Sequence, residues 1–157
     1  MSTYTATIRW TNSGPDFIGN QYSREHAWEF DGGVTVPASA SPHIVPEPWS
    51  VPAHVDPEEA FVASLSSCHM LFFLALAAKR GYRLDSYVDP AAGVMEKNTE
   101  GKMAITRVTL SPRAVFSGDR VPDQQAIEAL HHHAHELCFI ANSVRCEIRV
   151  EPAFDAA

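Results

Sequence analysis

The chain has 157 residues, 45% of them hydrophobic and 20% charged, with a formal net charge of −7 at pH 7. That size and composition suit one globular domain whose core needs no disulfide staples. The negative charge argues against a general nucleic-acid binder or a protein held on an anionic membrane, since both need clustered Lys and Arg.

Three cysteines are an odd number and do not form an extracellular disulfide framework. No basic segment followed by an apolar run opens the chain. The expectation is a cytoplasmic protein without a secretory signal. In a reducing compartment a cysteine pair serves redox chemistry or metal binding more often than structure.

Tyr4, Ala6, Ile8 and Trp10 alternate with Thr3, Thr5, Thr7 and Arg9, the pattern of a half-buried strand. Thr11 to Asp16 is loop chemistry. Ala27 to Phe30 predicts a second strand, and Asp31-Gly32-Gly33 a hairpin turn into Val34-Thr35-Val36. From Pro37 to Pro52 the chain carries five of its eleven prolines. Proline lacks an amide donor and disfavours helix in the residue before it, so this segment is expected to be extended. Its Ile44, Val45, Trp49 and Val51 suggest an arm that covers something, not a solvated linker.

Asp56 to Ala78 reads as one long helix. Asp56 can cap it, Pro57 fits the first helical position, and Glu58 and Glu59 suit the positive end of the dipole. Lys79-Arg80-Gly81 ends it. Phe61, Leu65, Cys68, Phe72 and Leu76 share one stripe, and apolar residues cover most of the other faces, as expected of a buried helix. Its length approaches that of a membrane span. Ser64, Ser66, Ser67 and His69 interrupt it, however, and no second such segment exists, so a buried core helix is expected and no membrane partner.

Arg83 to Val88 and Gly93 to Asn98 predict further strands, and Thr106 to Phe116 one long strand with an edge or bulge at Pro112. Pro122-Asp123 opens a second helix to about Leu137, with Ile127, Leu130, Ala134, Leu137 and Cys138 on its apolar stripe. Cys146, Ile148 and Val150 alternate with charged residues in a last strand. The order predicts an α+β fold with two main helices against antiparallel sheets. It is read as a single domain over 1–157, with strands and the proline-rich arm in 1–54 and the core with both helical cysteines in 55–157.

Cys68 and Cys138 sit on the apolar stripes of the two helices and could approach in a shared core. The pattern alone leaves open whether they act as a pair or as small hydrophobes; Cys146 reads as plain core. A working thiol needs a pKa below its ordinary value of about 8.5. Cys68 lies about three turns into its helix, beyond the reach of the dipole, so the activating cation has to come from elsewhere. Arg24, in the irregular stretch before the second strand, is the best-placed candidate.

The run Asp-Pro-Glu-Glu-Ala-Phe-Val-Ala-Ser-Leu-Ser-Ser-Cys-His from Asp56, with Cys138 at a helix end and Asn142 beyond it, resembles the OsmC/Ohr family of osmotically induced and organic-hydroperoxide-resistance thiol peroxidases. The resemblance covers about 55 to 152. It implies an intertwined homodimer with active sites at the subunit interface. Cys68 would be the peroxidatic cysteine, Cys138 the resolving one, and Glu58 the carboxylate that orients an arginine, here Arg24. The reaction implied is reduction of an organic hydroperoxide through a sulfenic acid and a Cys68–Cys138 disulfide, re-reduced by a dithiol such as a lipoyl protein, with no cofactor. The family's second cysteine is commonly followed by proline, whereas Phe139 follows Cys138 here.

Ten helical residues rise about 15 Å, so Glu58 is not expected to touch Cys68 of its own helix. Arg24 would then span that gap or meet a Glu58 from the other subunit. Other readings are a non-catalytic dimer that binds a small apolar ligand, a Cys–His hydrolase, and a metal-binding protein built on His131-His132-His133-Ala134-His135. His131 and His135 share a helix face at a spacing used for zinc, but with neither the zinc-protease Glu nor a CxxC pair, no metal is expected.

Overall fold

The computed structural model describes residues 1–154. They fall into two compact units, Met1–Ala60 and the chain from Phe61 onward.

The first unit holds a three-stranded antiparallel meander: β1 (Ala6–Arg9), β2 (His26–Phe30) and β3 (Thr35–Ala38), with Ile8 opposite Trp28 and Trp28 opposite Val36. The β2–β3 hairpin turns at the predicted glycines; Gly33 has φ +84°, a conformation that favours glycine. All four residues of β1 are exposed, so the expected half-burial is absent. Ile8 retains 60% of its surface.

The proline-rich arm is a succession of turns, not an extended strap. The amides of Ile44 and Val45 donate to the Ser41 carbonyl, that of Trp49 to Pro46, and that of His54 to Val51. The segment closes on itself where the Ser39 amide donates to the Val55 carbonyl and the Val51 amide to the Ser39 hydroxyl. Buried Ser39, Ser41 and Ser50 take the place of apolar anchors.

The long helix α1 (Pro57–Lys79) starts and stops as its end signals predict. The Asp56 carboxylate accepts from the Glu59 amide at 2.8 Å, and the Glu59 carboxylate accepts from the Asp56 amide at 3.3 Å, a reciprocal capping box. Gly81, at φ +76°, ends the helix. Burial follows a narrower stripe than the sequence suggests: Leu65, His69, Phe73 and Ala77 are buried, one position on from Cys68 and Phe72, while Leu71 is 59% exposed.

In the second unit, β4 (Arg83–Val88) pairs antiparallel with β7 (Arg113–Ser117). A separate sheet orders β5 (Ala92–Lys97), β6 (Met103–Leu110) and β8 (Glu147–Val150), antiparallel for β5–β6 and parallel for β6–β8. The single long strand expected over Thr106 to Phe116 is therefore two strands in two sheets. Pro112 has no amide for a ladder, and the Ser111 amide is diverted to the Asp89 carboxylate at 2.6 Å. The chain turns there and changes sheet.

The second helix α2 (Gln124–Leu137) is capped by Asp123, whose carboxylate accepts from the Ala126 amide at 2.8 Å. Two apolar clusters fill this unit. Phe73 and Ala77 of α1 pack with Leu130 and Ala134 of α2 under Tyr87 and Phe116 of the β4–β7 sheet. Leu65 of α1 packs with Val108 and Leu110 of β6, joined by Cys146 and Ile148. Both clusters hold α1, which fixes the position of the residues between Leu65 and Phe73.

Candidate active site

Cys68 lies between those two clusters on α1 and is half-buried; Cys138 forms the C-cap of α2 and is 1% exposed. The cap geometry follows from the end of the helix. The Cys138 amide still donates back to Ala134 and His135, but its own backbone is extended, and the chain enters a 3-10 turn at Ala141–Ser143. Asn142 donates through its side chain to the Glu136 carbonyl at 3.1 Å, satisfying one of the carbonyls left open at the helix end.

This turn brings the two thiols together. Both are free, and the Cys68 thiol is near enough to act on the titration of Cys138. The Ala141 amide also points at the Cys138 sulfur, at 3.4 Å. Burial pushes the Cys138 thiol up to about 11, and the neighbouring Cys68 thiol adds to the rise, outweighing the backbone donors of Ala141 and Ile140. Cys138 is therefore protonated at neutral pH, beside Cys68. Cys146 sits in the apolar cluster with Leu65, Val108 and Leu110, where burial raises its pKa, as expected of a core thiol.

Phe72, one turn after Cys68, meets Phe139, next to Cys138, edge to face at 5.0 Å between centroids. Phe139 is 70% exposed. The two rings thus meet next in the chain to Cys138 and one turn from Cys68, a contact that only the three-dimensional pairing of these segments reveals.

Arg24 and Glu58 both belong to the first unit. The Arg24 side chain donates to the carbonyls of Asn20 at 3.1 Å and Tyr22 at 2.6 Å, and its guanidinium stacks 3.7 Å from the centre of the Tyr22 ring. Its backbone amide donates to the Trp49 carbonyl in the arm. The cation is held against an aromatic face and two carbonyls, not against Glu58 of the same chain. Glu58 is half-buried and stands outside the capping box, which uses Glu59.

Sequence reasoning missed His69. Counted only among the polar residues that interrupt the apolar run, it is fully buried, with Nε2 3.0 Å from Nδ1 of His131 on α2. The rings stack at 7°. Burial holds both histidines low, His69 at about 4 and His131 at about 3, each with a further depression from a neighbouring histidine. The recoverable signal was the i, i+4 series Leu65, His69, Phe73, Ala77.

The OsmC-like protein family model matches residues 51–153. Over 98% of this chain and 100% of the other, the fold matches an OsmC-like protein of unknown function from Vibrio cholerae at 55% identity and a TM-score of 0.96. An organic hydroperoxide resistance protein from Elizabethkingia anophelis matches at 16% identity and a TM-score of 0.69, covering 98% of this chain and 99% of that one. The organic hydroperoxide resistance protein OhrB of Bacillus subtilis matches at 19% identity and 0.66, covering 96% and 98%; at these identities the likeness is one of fold. No curated protein matched the sequence. The cysteine-bearing helices, the sheets around them and the matched region together make this chain a member of the OsmC-like family.

Proposed function

We propose that this chain is a cysteine-based peroxidase that reduces organic hydroperoxides. The observation that carries the reading is the neighbouring pair of free thiols, with the buried member held protonated beside the more accessible one.

In the first step the Cys68 thiolate attacks the distal oxygen of R–O–O–H. An S–O bond forms, the O–O bond breaks, and the alkoxide takes a proton to leave as the alcohol. Cys68 is then a sulfenic acid. Cys138 attacks that sulfur, the disulfide forms, and the hydroxyl departs with the Cys138 proton as water. An external dithiol returns both cysteines to thiols. Because Cys138 neighbours Cys68, condensation competes well with further oxidation.

Arg24 is assigned as the cation that favours the thiolate and the developing alkoxide, oriented by Glu58. Since Arg24 is held by Tyr22 and backbone carbonyls within its own chain, the carboxylate it meets is assigned to Glu58 of a second copy in a homodimer. A fully active monomer would contradict that part. Apolar walls at Phe72 and Phe139 favour substrates with a hydrocarbon tail over hydrogen peroxide, by about 0.8 kcal/mol per buried methylene. A reducing cytoplasm would be the setting.

The test is replacement of Cys68 by Ser. Activity towards an organic hydroperoxide should vanish with the fold intact. Survival of activity would show that Cys68 is not the nucleophile.

A further inference from the structure

A pocket of about 260 Å³ is lined by Glu128, His131, His132 and His135 of α2, by Ile148 and Val150 of β8, and by Pro152. The four polar residues are spaced i, i+3, i+4 and i+7, which puts them on one face of the helix. His131 is 2% exposed, its Nδ1 engages His69, and its Nε2 is buried without a hydrogen-bond partner in the chain. Nδ1 of His135, one turn later, is also buried and without a partner. Two buried ring nitrogens of this kind, side by side on a helix face, are costly unless something binds them.

We propose that His131 and His135 bind a divalent transition metal of the zinc class in this pocket. Neutral imidazoles at i and i+4 suit such an ion. His69 supplies the outer contact that a ligating histidine requires: in the tautomer whose Nδ1–H is donated to His69 Nε2, His131 keeps a bare Nε2 lone pair on the helix face that lines the pocket. Among the described residues no three candidate ligands already stand in coordinating arrangement. The third ligand is therefore drawn from Glu128 or His132, exposed side chains of the pocket lining whose surface partners, Gln124 and Glu136, would be exchanged for the ion. Water completes the tetrahedron. The site uses neither cysteine and stands independently of the peroxidase reading.

The experiment is titration of the reduced, metal-free protein with Zn²⁺ by calorimetry, and with Co²⁺ by absorption spectroscopy. The expected result is one ion per chain, a tetrahedral Co²⁺ spectrum without thiolate-to-metal charge transfer, and a rise in melting temperature on zinc addition. His135→Gln, at a half-buried position, should weaken binding at least tenfold, and Glu128→Gln or His132→Gln should weaken it less. Absence of saturable binding would overturn the proposal. So would a charge-transfer band, which would put the ion on the cysteines, or undiminished binding in folded His135→Gln.

Discussion

Phe72 and Phe139 meet edge to face, at 5.0 Å between centroids and an interplanar angle of 82°, tying the turn after Cys68 to the residue after Cys138. The Phe72 ring is half-buried on α1 and Phe139 is 70% exposed, so the contact reaches from the helix to solvent within one turn of each cysteine. Removing it separates substrate selection from chemistry. Phe139→Ala should lower kcat/KM for a bulky aryl hydroperoxide by roughly two- to tenfold, the worth of one aromatic contact. Hydrogen peroxide turnover should change little. Steady-state kinetics with the two peroxides measures both.

The raised pKa of Cys138 predicts how the two cysteines differ in reactivity. At pH 7 alkylation by iodoacetamide should label Cys68 well before Cys138. Cys138 labelling should climb only as pH approaches about 11. The linkage has a definite sign. The folded pKa lies above the ordinary thiol value, so the unfolded chain releases its proton first as pH rises. Cys138 therefore contributes stability below about pH 8.5 that is lost towards pH 11. Mass spectrometry of labelled peptides and melting curves across that range test both statements.

The buried His69–His131 pair predicts acid sensitivity. Both rings are held uncharged, at about 4 and 3, while an unfolded histidine titrates near 6.5. Between these values the unfolded state binds more protons, so stability falls as pH drops from about 6.5 to 3. The slope contributed is up to about 1.4 kcal/mol per pH unit for each histidine. In metal-free protein, His69→Phe should flatten the pH dependence of the melting temperature over that window. An unchanged slope would mean that the pair titrates normally.

Gly93 tests how tightly α1 seats on its sheet. A Cβ built there would stand 2.7 Å from Val62 of α1 and 3.5 Å from Ile105 of β6. Gly93→Ala should therefore destabilise the fold by about 1–3 kcal/mol. The double variant Gly93→Ala/Val62→Ala should recover part of the loss, which chemical denaturation would detect.

The parts of this fold that were legible are those written in local chemistry. Asp56-Pro57 and Gly81 bound α1, Pro122-Asp123 opens α2, and Gly32-Gly33 marks the hairpin. What escaped depends on which distant surface an element meets. Residues 70–78 are apolar nearly all round, so α1 shows no preferred face until the two clusters pick Leu65, His69, Phe73 and Ala77. The break at Pro112 looked like an irregularity because the sheet change depends on Asp89, 22 residues away from Ser111. The parallel β6–β8 pairing joins strands separated by a helix, which strand pattern alone does not reveal. At the site, Cys68 and Cys138 were findable as helix-stripe cysteines, whereas the Tyr22 stack that holds Arg24 had no sequence signature.

The most direct test of the peroxidase account is peptide mass mapping of the reduced protein after one equivalent of an organic hydroperoxide, with hydrogen peroxide in parallel. The account predicts a Cys68–Cys138 disulfide that forms faster with the organic peroxide, and Cys146 left as a thiol. Unmodified Cys68 and Cys138 in both samples would contradict it.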